Sequence, residues 1–389
     1  MKKILSIFLV ITLLFSGIFI LTGCENKKED DNSNIPESID YANMTQEDLL
    51  SHIKDRENVT VDEYVWLIST YSYVNIKDDL TLEKNITDEA IKAIASNAKP
   101  SQEKYIEKII KSESPQVRGY ALTLMPSLIG VSSKNLELAK ELIKNETNDY
   151  VLYQATKALS NEAKSGKEIA DFLIKMAEHQ NAKIRTAAAG ALGNSWSEGV
   201  EGAVQTVIKL MNDTDKDVRK VACRNAGKLN DESVIEPLVQ ILNNSDDADI
   251  HGSCIEGLVT LWYDYPFFKK NSEKAYNATM DYLKKTPRTD KVPAWTAFSA
   301  FKTKASEEEK FNKWKEKATY FNTDDLYNIM VDIIKDENAN YLSRTSAIDI
   351  VKAHCSEEQF NSLEEIVNSL TDKKAAIVKS SYESKKKTN

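Results

Sequence analysis

Glycine and proline are scarce: twelve and eight in 389 residues, less than half of the ordinary ~12% share. A sandwich or barrel of many short strands needs more turn residues than that, which excludes an all-β fold. Collagen-like and low-complexity chains are excluded with it. Four cysteines make no disulfide framework. Basic residues are outnumbered, 51 against 60 acidic, giving a net charge of −9 and a pI near 5.3. Nucleic-acid binding normally leaves the opposite footprint. Arginine occurs only at positions 56, 118, 185, 219, 224, 288 and 344. What the chain does have is 41% hydrophobic residues, enough for a core and too many for wholesale disorder.

The N-terminus is the longest apolar run. Lys2 and Lys3 precede Ile4 to Leu21, which only Ser6, Thr12, Ser16 and Gly17 interrupt, and Leu21-Thr22-Gly23-Cys24 follows. A stretch this long could barely span a bilayer core of ~30 Å as an uncleaved anchor. The small pair Thr22-Gly23 before a cysteine favours a cleaved export signal. The segment resembles a bacterial lipoprotein signal (residues 1–23) with its lipobox. The resemblance implies that Cys24 carries a diacylglycerol and becomes the new N-terminus. Either reading puts the body outside the cytoplasm, held at the cell membrane. Residues 25 to 40 are polar and aperiodic, so 24–44 reads as a lipidated cysteine and a disordered acidic tether. As a coil its sixteen-residue polar stretch reaches about 22 Å.

From Thr45 the chain reads as successive short helices. Thr45, Thr60, Thr87 and Ser101 each open an apolar stretch at helical spacing, and Thr60-Val61-Asp62-Glu63 fits a capping box. No segment alternates convincingly with period 2. A repeat is visible through the arginines. Val117-Arg118, Ile184-Arg185 and Val218-Arg219 share a context, each followed three residues on by Ala121, Ala188 or Ala222. Val151-Leu152 with Ala155 fills the gap between the first two, and Ile250-His251 with Cys254 continues the series. Arg344 with Ala347 is a further member, and Ala294 with Ala297 a weaker one. Seven residues after the reference come Met125, Leu159, Leu192, Leu258, Phe301 and Val351, with Ala226 as the exception. Offsets of −1, +3 and +7 lie on one helical face. A small residue there marks where two helices approach closely. An apolar helix precedes each reference helix, across a polar turn such as NDTDKD or NSDDAD.

This pattern resembles the HEAT repeat, in its short bacterial type. The resemblance implies an all-α fold, an α-α superhelix built as a solenoid of helical hairpins. It divides the body into an N-terminal helical cap (45–100), regular repeats (101–263), divergent repeats with aromatic-rich insertions (264–355), and a C-terminal capping helix with a basic tail, SKKKTN, read as disordered (356–389). It implies that helix B, which carries the arginine, lines the concave side. It also implies that Arg118, Arg185, Arg219 and Arg344 are structural, tying the inter-helix turn to a neighbour through acids such as Asp215, Asp217 and Asp249. Leu152 and His251 depart from the pattern.

No catalytic constellation stands out. Asp213-x-Asp215-x-Asp217 opens like a calcium loop, but Val218 replaces its glycine and Arg224 its closing glutamate. His52, His179, His251 and His354 are isolated, without metal-ligand spacing. Ser51-His52-Ile53-Lys54 has the SxxK form without its companion motifs. Cys223, Cys254 and Cys355 read as small buried hydrophobes, one disulfide among them being open. No cofactor is expected.

The stretch 261–321 is aromatic: Trp262, Tyr263, Tyr265, Phe267 and Phe268, then Trp295, Phe298, Phe301, Trp314, Tyr320 and Phe321. It reads either as a thicker core or as exposed anchors of the type enriched at binding hot spots. Outward positions of helix B, one and five after the reference, give Tyr153, Lys157, Lys220, Arg224, Glu256 and Trp295. Together with Trp262 these form the candidate contact strip. The expectation is a membrane-tethered, extracytoplasmic scaffold, monomeric and non-catalytic, that binds a protein or peptide and no nucleic acid. A binder of a small molecule or envelope polymer through the aromatic stretch is the alternative. An enzyme comes last, since the lyases and DNA glycosylases among HEAT-like proteins act on substrates elsewhere.

Overall fold

In a computed structural model, described residues are 80, 106–107, 110–128, 133–264, 267–285 and 308–387. The signal, the tether, Cys24, the N-terminal cap and Trp295 lie outside them. Fifteen α-helices occur among the described residues, and no strand. They are α1 (Pro115–Leu128), α2 (Ser133–Asn145), α3 (Asp149–Ala158), α4 (Lys167–Met176), α5 (Ala182–Leu192), α6 (Ala203–Leu210), α7 (Lys216–Ala226), α8 (Ile235–Asn244) and α9 (Ala248–Trp262). Then come α10 (Glu273–Lys285), α11 (Glu308–Lys317), α12 (Thr323–Lys335), α13 (Tyr341–His354), α14 (Glu357–Ser369) and α15 (Ala375–Lys386).

The helices pair as hairpins, α2 with α3, α4 with α5, α6 with α7, α8 with α9, α12 with α13 and α14 with α15. Helices α1, α3, α5, α7 and α9 pack side by side as one row of B helices, and α2, α4 and α6 as a row of A helices behind them. The small residues of the repeat, Ala121, Ala155, Ala188, Ala222 and Cys254, are all fully buried. The −1 residues Val117, Val151, Ile184, Val218 and Ile250 and the +7 residues Met125, Leu159, Leu192, Ala226, Leu258 and Val351 are buried with them; Phe301 lies outside the described residues. The closest crossing is between α7 and α9. A Cβ on Gly257 would sit 2.3 Å from the Cys223 carbonyl oxygen, and one on Gly227 only 2.0 Å from the Gly257 carbonyl oxygen. Only glycine fits at either position.

Helices α3, α5, α7, α9 and α13 each start on an Asn or Asp four residues before the reference: Asn148, Asn181, Asp215, Asp247 and Asn340. Each side chain accepts N–H groups of the first turn. Two residues earlier stands another acceptor. Ser112, Glu146, His179, Asp213, Ser245 and Asp372 each take the backbone N–H two positions on, which folds the turn locally.

The arginines use these turns. Arg118 donates to the Ser112 and Glu113 carbonyls at 2.8 Å and ion-pairs with Glu146 at 2.7 Å, 28 residues on. Arg185 repeats the pattern, bonding the His179 and Gln180 carbonyls at 2.8 and 2.9 Å and Asp213 at 2.8 Å. One guanidinium thus closes its own turn and grips the turn of the next hairpin. Arg219 holds the Asp213 and Thr214 carbonyls, and the acid's place in the following turn is taken by Ser245. The departures substitute. His251 contacts the Ser245 carbonyl through Nε2 and the Tyr282 hydroxyl at 2.8 Å through Nδ1. At Leu152 no guanidinium is present, and the acid's place in the next turn is His179. The buried Arg344 pairs with Asp372 at 2.8 Å, while Lys374 takes over the turn carbonyls of Glu337, Asn338 and Ala339.

Two expectations need correction. The acids Asp215, Asp217 and Asp249 do not hold the arginines. Asp215 caps α7, and Asp249 pairs with Lys216 at 3.0 Å. The guanidinium reaches two residues further back, to the acid that folds the turn. The C-terminal segment is also not one helix and a loose tail. Helix α15 runs to Lys386, buries Val378 and Tyr382, and is stitched by Lys385–Asp349 and Lys386–Glu364 pairs, both at 2.8 Å.

The staples make the stack acid-sensitive. Asp213 and Asp372 are held below the usual carboxylate range by Arg185 and Arg344 respectively. Burial pushes Glu146 up, but Arg118 and the N–H groups of Asn148 and Thr147 outweigh it and hold it low. The unfolded chain then binds more protons than the native one, so the stability these pairs supply is present above about pH 4 and lost below it. Urea midpoints measured from pH 7 to pH 3 should fall steeply in the wild type. Asp213→Asn should be less stable at pH 7 and lose less on acidification; an unchanged slope would refute the coupling.

Candidate functional site

The row of B helices presents an outer face whose polar side chains are not used in packing. On α3, Lys157 lies over the Tyr153 ring, 5.1 Å from its centroid. On α7, Lys220 is half-buried and Arg224 exposed. Between them, α5 carries only Thr186 and Gly190 at the corresponding positions. A Cβ built on Gly190 would meet nothing nearer than Val221 at 3.9 Å. Side chains on this face are therefore short along α5 and long on both flanking helices.

Arg224 is not a free cation: its Nε is 3.1 Å from Glu256 on α9. Burial raises the Glu256 carboxyl above its ordinary range, and Arg224 and Lys228 pull against that rise. Burial also lowers Lys228, whose Nζ donates to Asn225 at 2.8 Å. Perturbed, mutually coupled charges of this kind gather at functional surfaces and in structural ion-pair networks alike. The basic end of the strip is thus Lys157 and Lys220, while Arg224 and Glu256 form a bridge between repeats.

Trp262 does not belong to the strip. It is fully buried, and its Nε1 donates to Thr279 Oγ1 at 3.1 Å. It sits at the centre of an aromatic block with Tyr263, Tyr276, Trp314 and Phe321, all within 6.4 Å between ring centroids. Trp314 donates to the carbonyls of Trp262 and Lys270 at 3.0 and 2.9 Å. Lys270 is itself buried, with Nζ on the Gly227 carbonyl. Asp264 takes the N–H groups of Lys269 and Lys270. The described aromatic residues around Trp262 form a thick core that locks the loop after α9 onto the end of α7. Phe267 remains outside at 64% exposure.

One exposed aromatic escaped the strip altogether. Trp196, 58% exposed, sits in the short turn Ser195–Ser197 after α5. Asn194 caps that turn by accepting the Trp196 N–H, and its amide donates to Asn161 at 2.8 Å. The sequence signal was a lone tryptophan inside a polar turn, NSWSEG, where a core residue has no helix to sit on.

Among the described residues, no group of three or more His, Cys, Asp or Glu side chains could hold a metal. Also among them, no helix is long and apolar enough to cross a membrane.

Residues 170–259 match the model of the family described as HEAT repeats. No curated protein matches the chain. Among solved structures, the X-ray structure of YibA from E. coli aligns at 11% identity with a TM-score of 0.39, over 94% of this chain and 100% of that one. A mutant of Kap121p aligns at 13% identity and a TM-score of 0.47, over 88% of this chain and 42% of that one. The described residues form an all-α stack of helical hairpins, of which the stretch 170–259 is similar to HEAT repeats.

The placement of Trp262 has a direct consequence. Trp262→Ala should destabilise the fold by about 3–5 kcal/mol, the usual cost of emptying a buried tryptophan site. Urea denaturation checks this, and a loss under 1 kcal/mol would mean that the ring is not core.

Proposed function

We propose that this protein is a membrane-tethered extracytoplasmic scaffold that binds a protein or peptide on its B-helix face. The observation that carries the reading is the trough over α5. Hairpins stacked at 33- to 34-residue spacing put a strip without bulky side chains between two rows of long ones, Tyr153 with Lys157 and Lys220 with Arg224. A solenoid offers such extended surfaces because each repeat adds one more row. The match of residues 170–259 to HEAT repeats supports a scaffold role of this kind. Lys157 and Lys220 favour a segment that carries carboxylates.

Gly190→Trp tests the trough. The Gly190 Cβ position meets only Val221, at ordinary contact distance, so the fold should survive with a urea midpoint close to that of the wild type. Photo-crosslinking from Lys157 and Lys220 positions in the native envelope should capture one partner, and Gly190→Trp should abolish that capture. Capture that persists in Gly190→Trp, or that is equal from Lys175 and Lys209 on the A helices, would defeat the assignment.

Tethering rests on Leu21-Thr22-Gly23-Cys24. Cys24→Ala should block lipid attachment and processing by the lipoprotein route. It should leave no labelled fatty acid on the protein. Unaltered processing, with no label on the wild type either, would sink the anchor.

A further inference from the structure

Two of the three cysteines among the described residues meet each other. Cys223 on α7 and Cys254 on α9 are both fully buried, Cys254 lies one turn before the Gly257 position that packs on the Cys223 carbonyl, and the two side chains interact. They lie beside the closest helix crossing in the stack, where the Cys223 carbonyl oxygen would be 2.3 Å from a Cβ on Gly257. That closeness matters chemically. A disulfide needs Cα atoms about 4.4–6.8 Å apart. The close backbone approach at Gly227 and Gly257 brings facing residues of α7 and α9 towards that range. Cys355 ends α13, one turn from the aromatic block, and its Sγ contacts the Thr323 carbonyl instead.

We propose that Cys223 and Cys254 are a modification site, a dithiol that an oxidant of the thiol–disulfide class closes into a bond stapling α7 to α9. The thiolate of one cysteine attacks the oxidant's disulfide and releases one of its sulfurs as a thiol. The second cysteine then displaces the other. The protein loses two protons and two electrons, and the oxidant leaves as a dithiol. The contact with Cys223 and the burial push the Cys254 thiol far above its ordinary range, so the docked Cys254 thiol is protonated and shielded. Closure therefore belongs to the period before α8 and α9 settle against α7, or to a transient opening of that hairpin. The bond would fix the spacing of Lys220 and Arg224 relative to Glu256, and so the far wall of the trough. The chemistry of the pair is independent of location. Only its closure in the cell rests on the proposed export, since oxidising compartments are where such bonds persist.

The full chain, refolded from urea with oxidised glutathione, alkylated and mapped by mass spectrometry, tests the pair. The expected product is a peptide pair joined through Cys223 and Cys254, with Cys355 alkylated. Its urea midpoint should drop when reductant is added. Cys223→Ala and Cys254→Ala should show no reductant-dependent shift. Both should fold, because Ala189 and Ala222 occupy the matching places in neighbouring repeats. Recovery of Cys223 and Cys254 as alkylated thiols after oxidative refolding, or pairing with Cys355 in preference, overturns the proposal. Alkylation of intact cells before lysis separates the two readings. A bond that forms in vitro and is absent in cells leaves the site standing and counts against the proposed location.

Discussion

The guanidinium that bridges two turns is the contact on which the stack depends. Hydrophobic burial drives helices together, but it does not by itself fix which hairpin sits next to which, or at what height. In Arg118 and Arg185 one side chain bonds two carbonyls of its own turn and a carboxylate of the next. The carbonyls belong to the turn after helix A, where no helical ladder pairs them. The carboxylate is the same one that folds the following turn, through the N–H of Asn148 or Asp215. Turn formation and hairpin stacking are therefore one hydrogen-bond system. Desolvating such an ion pair costs free energy, which the additional hydrogen bonds offset.

The regular stack ends where this device runs out. After His251 the connection passes to aromatic packing. Trp262, Trp314 and Phe321 fill the space between α9, α11 and α12, and the indole N–H groups find carbonyl or hydroxyl partners. Arg344 restores the staple, now fully buried, with Lys374 reaching back to the turn. The B-helix face inherits its shape from this order. Side chains committed to staples point into the turns, and those at offsets +1 and +5 are left for the outside.

Much of the fold was legible because the packing constraint is periodic. A small residue is required once per crossing, and Ala121, Ala155, Ala188, Ala222 and Cys254 show it at near-constant spacing. The staple's partner was harder to find. The place it occupies tolerates any acceptor that can fold the turn, so Ser112, Glu146, His179, Asp213 and Ser245 share no residue type. The burial of Trp262 was not legible either, because the aromatic run has no period that would assign it to a face. Nor did the chain announce the trough, which comes from the short residues Thr186 and Gly190 on α5 flanked in space by residues far away in sequence. Helix α15 was missed because its lysines read as a tail until Asp349 and Glu364 are placed beside them.

A double-mutant cycle on Arg185 and Asp213 tests the central claim most directly. Stability of the wild type, Arg185→Ala, Asp213→Ala and the double variant would be measured by urea unfolding at pH 7. The account predicts a coupling of roughly 1–3 kcal/mol, as for residues sharing one hydrogen-bond network. Arg185→Ala alone would also leave the Asp213 carboxylate half-buried without its partner, so the double variant should be no less stable than that single one. Additive losses, with coupling below about 0.5 kcal/mol, would contradict it and leave the stack held by its alanine crossings alone.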